Sequence, residues 1–460
     1  MKLNYKRTFL VGLAFLSISA FWQMYDGITP KILTNTFDMS ETISGGIMAM
    51  DNVLALFLLP LFGSLSDKVS TRIGRRMPFI LVGTSSSVIL MLGLPLIDNS
   101  YAAAPAPWKL IAFIVLLGLL LIAMGTYRSP AVALMPDVTP KALRSKGNAI
   151  INLMGAAGGI LYLLVSGVLY SNSRIGDAKH VDYFLLYAVV AAIMVVSVIV
   201  LFATINENKL TAEVRALSEP EEADDRPTAQ QTKLPRAVRK SLFFVLLSVA
   251  LWYVGYNGIT TWFTVFAEKS WGMALGDASM CLTIAMAGAI VSYIPIGFLS
   301  SRIGRKKTIL IGCAILAACF AGAFIYTLLA NTFSPILYVL FVLIGFAWAA
   351  INVNSLPMVV EMCHLSDVGK FTGYYYTFSM AAQIITPIVA GALIENISYN
   401  VLFLYSALFV GASFVTMLFV KHGDTVTTKK ASLLENFDVR TNFLCGFYTL
   451  SFPYLLSSRC

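Results

Sequence analysis

From Met77 to Ile97 the chain runs 21 residues without a charged side chain, and stretches of this kind recur along the whole sequence. A helix rises about 1.5 Å per residue, so roughly 20 such residues cross the ~30 Å hydrocarbon core of a bilayer. Inside lipid every backbone N–H and C=O must be paired internally, which only helices and closed barrels achieve. The runs are continuous rather than alternating, and that selects helices. Composition points the same way: 12% of the residues are charged and 58% hydrophobic, against about 25% charged in an ordinary soluble domain. The expected fold class is an all-α integral membrane protein, with the lipid bilayer as its first partner.

Twelve spans are expected, at about 8–29, 43–65, 77–97, 109–131, 148–170, 183–205, 242–266, 276–300, 308–329, 335–360, 371–394 and 399–420. They are numbered one to twelve below. The N-terminus has the charged-then-apolar pattern of a signal peptide, but the apolar run continues past Trp22 and more spans follow, so an uncleaved first helix is expected. Four segments result: a six-helix half (1–205), a cytoplasmic linker (206–240), a second six-helix half (241–420) and a cytoplasmic tail (421–460). The linker holds seven acidic and seven basic residues with Pro220, Pro227 and Pro235, a composition that favours flexibility. With the N-terminus inside, 27 of the 33 Lys and Arg fall in inner segments and five in outer ones. That bias places both termini in the cytoplasm. The net charge of +9 is thereby explained by topology, without a nucleic-acid partner. The six cysteines show no CxxC spacing and indicate neither a disulfide framework nor a metal site.

A loop after span two is echoed half a chain later. Arg72-Ile73-Gly74-Arg75-Arg76 matches Arg302-Ile303-Gly304-Arg305-Lys306 at an offset of 230, and Tyr25-Asp26-Gly27-Ile28-Thr29 matches Tyr256-Asn257-Gly258-Ile259-Thr260 at 231. Two matches at nearly one offset imply two related halves. Halves that both start inside are related by an axis along the membrane normal. Transporters are often built this way, with substrate near the midplane.

With these motifs the chain resembles the major facilitator superfamily, in twelve spans, a charged middle linker, and a Gly-x-x-x-Asp-Arg/Lys…Gly-Arg-Arg/Lys loop repeated after span eight. The first loop is longer than usual by four residues. Its form from Gly63 to Ile80, together with Arg128-Ser129-Pro130 to Asp137, Arg144-Ser145 and Asn148-Ala149, is similar to the sucrose/proton symporter and glycoside–cation symporter branch. Sodium-using members of that branch carry paired carboxylates just before the proline of span two. Here the turn reads Ala55-Leu56-Phe57-Leu58-Leu59-Pro60, so the resemblance implies a proton rather than sodium as coupling ion.

Asp51 is the leading candidate for proton coupling. It lies eight residues into span two, about 12 Å from the outer end, where a carboxylate is costly unless paired, hydrated or protonated. The bland alternative is a structural acid tied to a neighbouring helix. Asp26, near the outer end of span one, is the second candidate, and its counterpart Asn257 is neutral. Asp26 could equally be an interfacial acid. Asn52, Trp22, Gln23, Tyr256 and Asn257 complete a set able to hold a sugar by aromatic faces and amide hydrogen bonds. Trp and Tyr, however, also anchor helices at interfaces. Arg128, inside span four, is read as a substrate ligand or a carboxylate partner, or else as a side chain snorkelling to the inner interface. Asn352, Asn354 and Gln383 either face substrate or bond a neighbouring helix.

A cytoplasmic gate is expected from Gly63, Asp67, Arg72, Gly74, Arg75, Arg76 and Asp137 in the first half and Arg302, Gly304, Arg305 and Glu361 in the second. Its glycines, with Gly297, would permit close helix approach and tight turns. The alternative is that the arginines only enforce topology. His180, His364 and His422 complete no catalytic set, and no phosphate loop, metal cluster or cofactor motif is present.

The expected function is alternating-access secondary transport in the plasma membrane (the inner membrane of a bacterium), importing a sugar or glycoside with a proton, as a monomer. Proton-driven export of amphipathic compounds, or a sensor or lipid-handling role on the same fold, are the alternatives.

Overall fold

A computed structural model describes residues 4–140, 144–175, 180–218, 235–330, 332–362 and 368–424. Among these residues, twelve helices are long and apolar enough to cross a membrane, and the protein is an all-α, multi-pass membrane protein. The first six spans are Tyr5–Lys31, Glu41–Lys68, Met77–Ala103, Pro107–Asp137, Arg144–Leu169 and Phe184–Thr204. The second six are Arg236–Trp271, Leu275–Ile303, Arg305–Leu329, Leu337–Val360, Val368–Asn396 and Val401–Leu418. Each expected span is present, most with extra polar residues at its ends. Prolines 30, 60, 95, 130, 136, 295, 357 and 387 lie within these helices. Membrane helices tolerate them because neighbouring helices and hydroxyls take up the freed carbonyls. The Thr34 hydroxyl, for example, donates to Pro30 O at 2.9 Å, in the π-helical turn Ile32–Thr36 that closes span one.

Two compact units result. The first comprises Met1–Asp38, Asp51–Leu169 and Ser173–Thr228; the second comprises Ala229–Cys460 with Met39–Met50 and Tyr170–Asn172. The piece at the start of span two belongs with the second unit because the Thr42 N–H donates to Glu395 Oε2 at 3.0 Å and Glu41 accepts from the Tyr399 hydroxyl. In the first unit, span one packs on five and six, and span three on four and six. In the second, span seven packs on eleven and twelve, and span nine on ten and twelve. The same four pairings recur six spans later, as the internal repeat requires.

Close packing in each unit depends on small residues, because lipid chains are as apolar as leucine and supply no hydrophobic drive between helices. A Cβ at Gly158 of span five would sit 2.0 Å from the Leu16 carbonyl oxygen of span one, and one at Gly345 of span ten would sit 2.0 Å from Ala285 O of span eight. The outward faces are apolar instead: Val82, Ile89 and Leu96, spaced by seven, form an exposed stripe along span three.

The linker departs from expectation. Its first part is a helix, Glu207–Ser218, and span seven begins at Arg236, so helix replaces much of the flexible segment expected at 206–240. Leu210 and Val214 are buried, and Arg7 on span one bonds Glu213 at 3.4 Å. The acidic cluster Glu219–Asp225, His364 and the tail beyond Asp424 lie outside the described residues.

Gly158→Ala should lower the thermal midpoint of the purified protein, by the about 1–3 kcal/mol typical of overpacking. Gly118→Ala, where a Cβ meets nothing within 4 Å, should leave it unchanged. Parallel melting curves of the two variants and the parent would remove Gly158 from the packing argument.

Candidate functional site

In the first unit, Asp51, Asn52 and Arg128 are buried at 8%, 7% and 2% exposure. Span two starts at Glu41, so Asp51 stands ten residues, about 15 Å, from that end, close to the middle of a ~30 Å core. The Asn52 amide donates to Asp51 Oδ1 at 2.5 Å. Asp51 also interacts electrostatically with Asp26 of span one and Arg128 of span four. Arg128 lies with its guanidinium carbon 5.3 Å from the ring centre of Trp22, a cation–π contact. A side chain buried in this way is not snorkelling to an interface. Trp22 in turn meets Tyr25 edge-on at 5.5 Å. Three spans thus bring Trp22, Asp26, Asp51, Asn52 and Arg128 together, with Gln23 half-buried one residue from Trp22.

Several polar atoms of this constellation have no protein hydrogen-bond partner: Trp22 Nε1, the Tyr25 hydroxyl and Asn52 Oδ1. Buried donors and acceptors are ordinarily paired, so such a cluster asks for water or solute. Asn152 of span five, 3% exposed with both amide atoms unpartnered, belongs to the same class. Sequence reasoning missed it; a lone Asn in an apolar run was the available signal.

The second unit carries aromatic and amide groups. Tyr256 stacks on Trp348 with centroids 3.6 Å apart and planes 4° from parallel, and Tyr253 meets the same indole edge-on at 5.5 Å. Asn352 follows Trp348 by one turn and so shares its helix face. It is fully buried with both amide atoms unpartnered, as is Asn257 Nδ2. Asn354 and Gln383 differ. The Asn354 amide donates to Ala350 O at 2.9 Å and the Gln383 amide to Ser379 O at 3.2 Å, each within its own helix. Trp348 and Tyr253 were not singled out from the sequence, although an aromatic four residues before a buried Asn was legible there.

The basic loops are organised within each unit. Arg76 reaches Asp137 Oδ2 through Nε at 2.9 Å, and also bonds Ser66, Asp67 and the Gly63 carbonyl, while Arg75 pairs with Asp137 Oδ1 at 2.7 Å. In the second unit Arg305 pairs with Glu361. Arg72 and Arg302 are exposed. Ser301 stands where the second loop lacks an acid, and its hydroxyl donates to Phe298 O at 2.8 Å.

Two carboxylates that sequence reasoning missed complete these loops. Glu207, 1% exposed, accepts the backbone N–H groups of Arg75, Arg76 and Met77 at 2.9–3.1 Å. Asp424 accepts those of Arg305 and Lys306 at 2.7 and 3.3 Å. Each acid follows the last span of its half and caps the first turn of the third, where orphan N–H groups and the helix dipole favour an anion. The capped loops turn through Gly74 (φ 121°) and Gly304 (φ 94°), a region that favours glycine. A Cβ at Gly74 would also lie 2.1 Å from Glu207 Oε2. Gly297, by contrast, was expected to allow close approach, yet a Cβ there would meet nothing within 4 Å.

The family model described as Major Facilitator Superfamily matches residues 11–276 and 266–456. The sucrose transport protein SUC3 of Arabidopsis thaliana is 33% identical over 29% of this chain and 24% of its own length. The human proton-associated sugar transporter A is 26% identical over 40% of this chain and 25% of its own length. The matched stretch thus spans about a quarter of each of these two relatives. The inward-open xylose transporter XylE from E. coli superposes with a TM-score of 0.64 at 16% identity, over 95% of this chain and 98% of that one, a likeness of fold.

Glu207→Ala orphans three backbone donors and should cost about 1–2 kcal/mol, read as a lower thermal midpoint, with Glu207→Gln intermediate. An Ala variant as stable as the parent would show that the cap is replaceable by water.

Proposed function

Since the chain belongs to the Major Facilitator Superfamily, we propose that it is a secondary active transporter, not an enzyme, which imports a sugar or glycoside together with a proton by alternating access. The observation that carries this reading is the constellation of buried Asp51 and Arg128 with half-buried Asp26, beside Trp22. Asp51 faces both the Asp26 carboxyl and the Arg128 guanidinium, and with one proton on either carboxyl the three groups together are neutral. Loading and releasing that proton therefore changes the charge of a site in apolar surroundings, where charge is expensive. Asp51, beside Asn52 and nearest the middle of its span, is the first candidate for the proton; Asp26 is the second.

The substrate class rests on chemistry. A pyranose presents apolar C–H faces and a rim of hydroxyls. Tyr256 on Trp348 offers an aromatic platform, and Asn257 and Asn352 offer amide atoms without protein partners. Arg128 and Asn52 add a charged donor and a further amide in the first unit. The names of the two relatives, a sucrose transporter and a proton-associated sugar transporter, agree with this chemistry. Asn354 and Gln383 contribute less directly, since their amides serve their own helices. The ion pairs of Arg75, Arg76 and Asp137, and of Arg305 and Glu361, hold the gate loops of their respective halves, and both termini face the cytoplasm of a plasma-membrane protein. Proton coupling needs neither ATP nor sodium.

Proteoliposomes offered a panel of mono- and disaccharides should show substrate-dependent alkalinisation outside. Asp51→Asn should abolish the pH change while retaining sugar binding. A response that survives the substitution would transfer the proton to Asp26. Silence towards every sugar from folded protein would overturn import and favour export of amphipathic solutes.

A further inference from the structure

The tripeptide Tyr127-Arg128-Ser129 of span four sends out three side chains that each reach another helix. Arg128 lies over the Trp22 ring of span one and interacts with Asp51 of span two. The residue before it, Tyr127, is fully buried; its hydroxyl pairs with Ser17 Oγ at 2.6 Å and donates to Ala14 O at 3.1 Å, both on span one. The residue after it, Ser129, donates from Oγ to Leu59 O of span two at 2.7 Å. The two neighbours of Arg128 are thus each bonded to one of the helices that carry its partners.

The Ser129 bond falls where both helices are interrupted. Pro130 follows Ser129, and Pro60 follows Leu59. Proline lacks the N–H that would bond the carbonyl four residues back, and helices kink at such turns. The spans also pass closely here. A Cβ at Gly63 of span two would lie 3.1 Å from Ser129 Oγ, and one at Gly125 of span four 3.3 Å from Leu58 Cβ. Gly83 of span three presses on Tyr127, where a Cβ would lie 2.6 Å from the backbone nitrogen. Spans one, two and three all grip span four around Arg128. Asp51 stands eight residues before Leu59, about 12 Å along span two. Alternate spans run the same way, and Cα–Cβ bonds tilt towards a helix's N-terminus, so Arg128 leans along span four in the direction of Asp51. A long side chain covering such a rise magnifies any rotation of its helix.

We propose that Tyr127 and Ser129 are positioning residues, which fix the turn of span four so that the Arg128 guanidinium stays over Trp22 and faces Asp51. The assignment rests on the proton role proposed for Asp51, Asp26 and Arg128, and adds to it how the cation is aimed. Without the two bonds the guanidinium is free to turn towards an interface, where water hydrates it. A hydroxyl and a proline beside the arginine are what a staple at an interrupted turn needs.

The test reads the indole directly, in the full chain purified without any solute. The fluorescence of each protein minus that of its Trp22→Phe counterpart isolates Trp22, and Arg128→Gln supplies the spectrum of that indole without its cation. Ser129→Ala and Tyr127→Phe should each move the Trp22 spectrum towards that of Arg128→Gln. Ser129→Thr, which keeps the hydroxyl, should match the parent. So should Ser248→Ala, which removes a buried hydroxyl bonded between spans seven and twelve. In proteoliposomes, with the sugar that gives the parent its largest alkalinisation, Ser129→Ala and Tyr127→Phe should slow the pH change about tenfold, the scale of one lost hydrogen bond, and Ser129→Thr should not. Should Ser129→Ala fail to fold, the nearly isosteric Tyr127→Phe carries the test. A Trp22 spectrum unchanged in these variants would overturn the proposal, and so would a shifted spectrum with alkalinisation at the full rate. A parent silent towards every sugar would end the import reading instead, while the Trp22 spectra still decide whether these two residues hold Arg128.

Discussion

Lipid offers no hydrogen bonds, and the rest of the structure depends on that fact. A backbone that must satisfy itself becomes helix from end to end, so the twelve spans are long, run through eight prolines, and meet one another over glycine where carbonyls nearly touch. With water excluded, any polar side chain inside the bundle must find a partner in protein or in solute. Most do: hydroxyls such as those of Ser17, Ser248 and Thr386 donate to carbonyls of their own helices. Against that background the unpartnered atoms of Trp22, Tyr25, Asn52, Asn152, Asn257 and Asn352 stand out. On the proposed reading, these are the atoms that a solute or water would meet.

The two halves repeat their packing while differing in chemistry. Span one carries Asp26 where span seven carries Asn257, and the first loop has Asp67 where the second has Ser301. The first unit gathers two carboxyls and a guanidinium; the second gathers stacked aromatics and amides. On the proposed reading, the proton is handled in the first half, while the second half supplies the aromatic platform and two of the amides that would meet the solute. The loops, by contrast, keep one design in both. Each turns through a glycine of positive φ, each pairs an arginine with the acid at the end of the fourth span of its half, and each is capped by a carboxylate arriving after the sixth. Conserving the loop geometry while the spans diverge is economical, since the loops set how helices enter the membrane and the spans set what they hold.

The spans, the repeat, the loop motif and the leading candidate residues were legible in the sequence because they depend on local quantities. Run length against bilayer thickness, charge between runs, and an acid or arginine inside a run can all be counted along one line. Asp51 and Arg128 were visible for that reason. Glu207 and Asp424 were not, because each caps a helix more than a hundred residues away, and a single acid after a span looks like any solvated acid. The linker helix was missed for a related reason: its polar composition reads as flexible until Leu210 and Val214 find a surface to cover.

The sequence by itself determined that this chain crosses a membrane twelve times in two related halves, since burial of continuous apolar helix leaves no other solution. Tertiary structure alone decided which polar groups face one another. It separated Asn352, with no partner, from Asn354, bonded to its own helix, although they sit two residues apart. It set Arg128 on Trp22 rather than at an interface, and Ser129 against Leu59 of span two. Helical periodicity turns neighbours in sequence to opposite faces, and only packing reveals which face meets protein, lipid or solute.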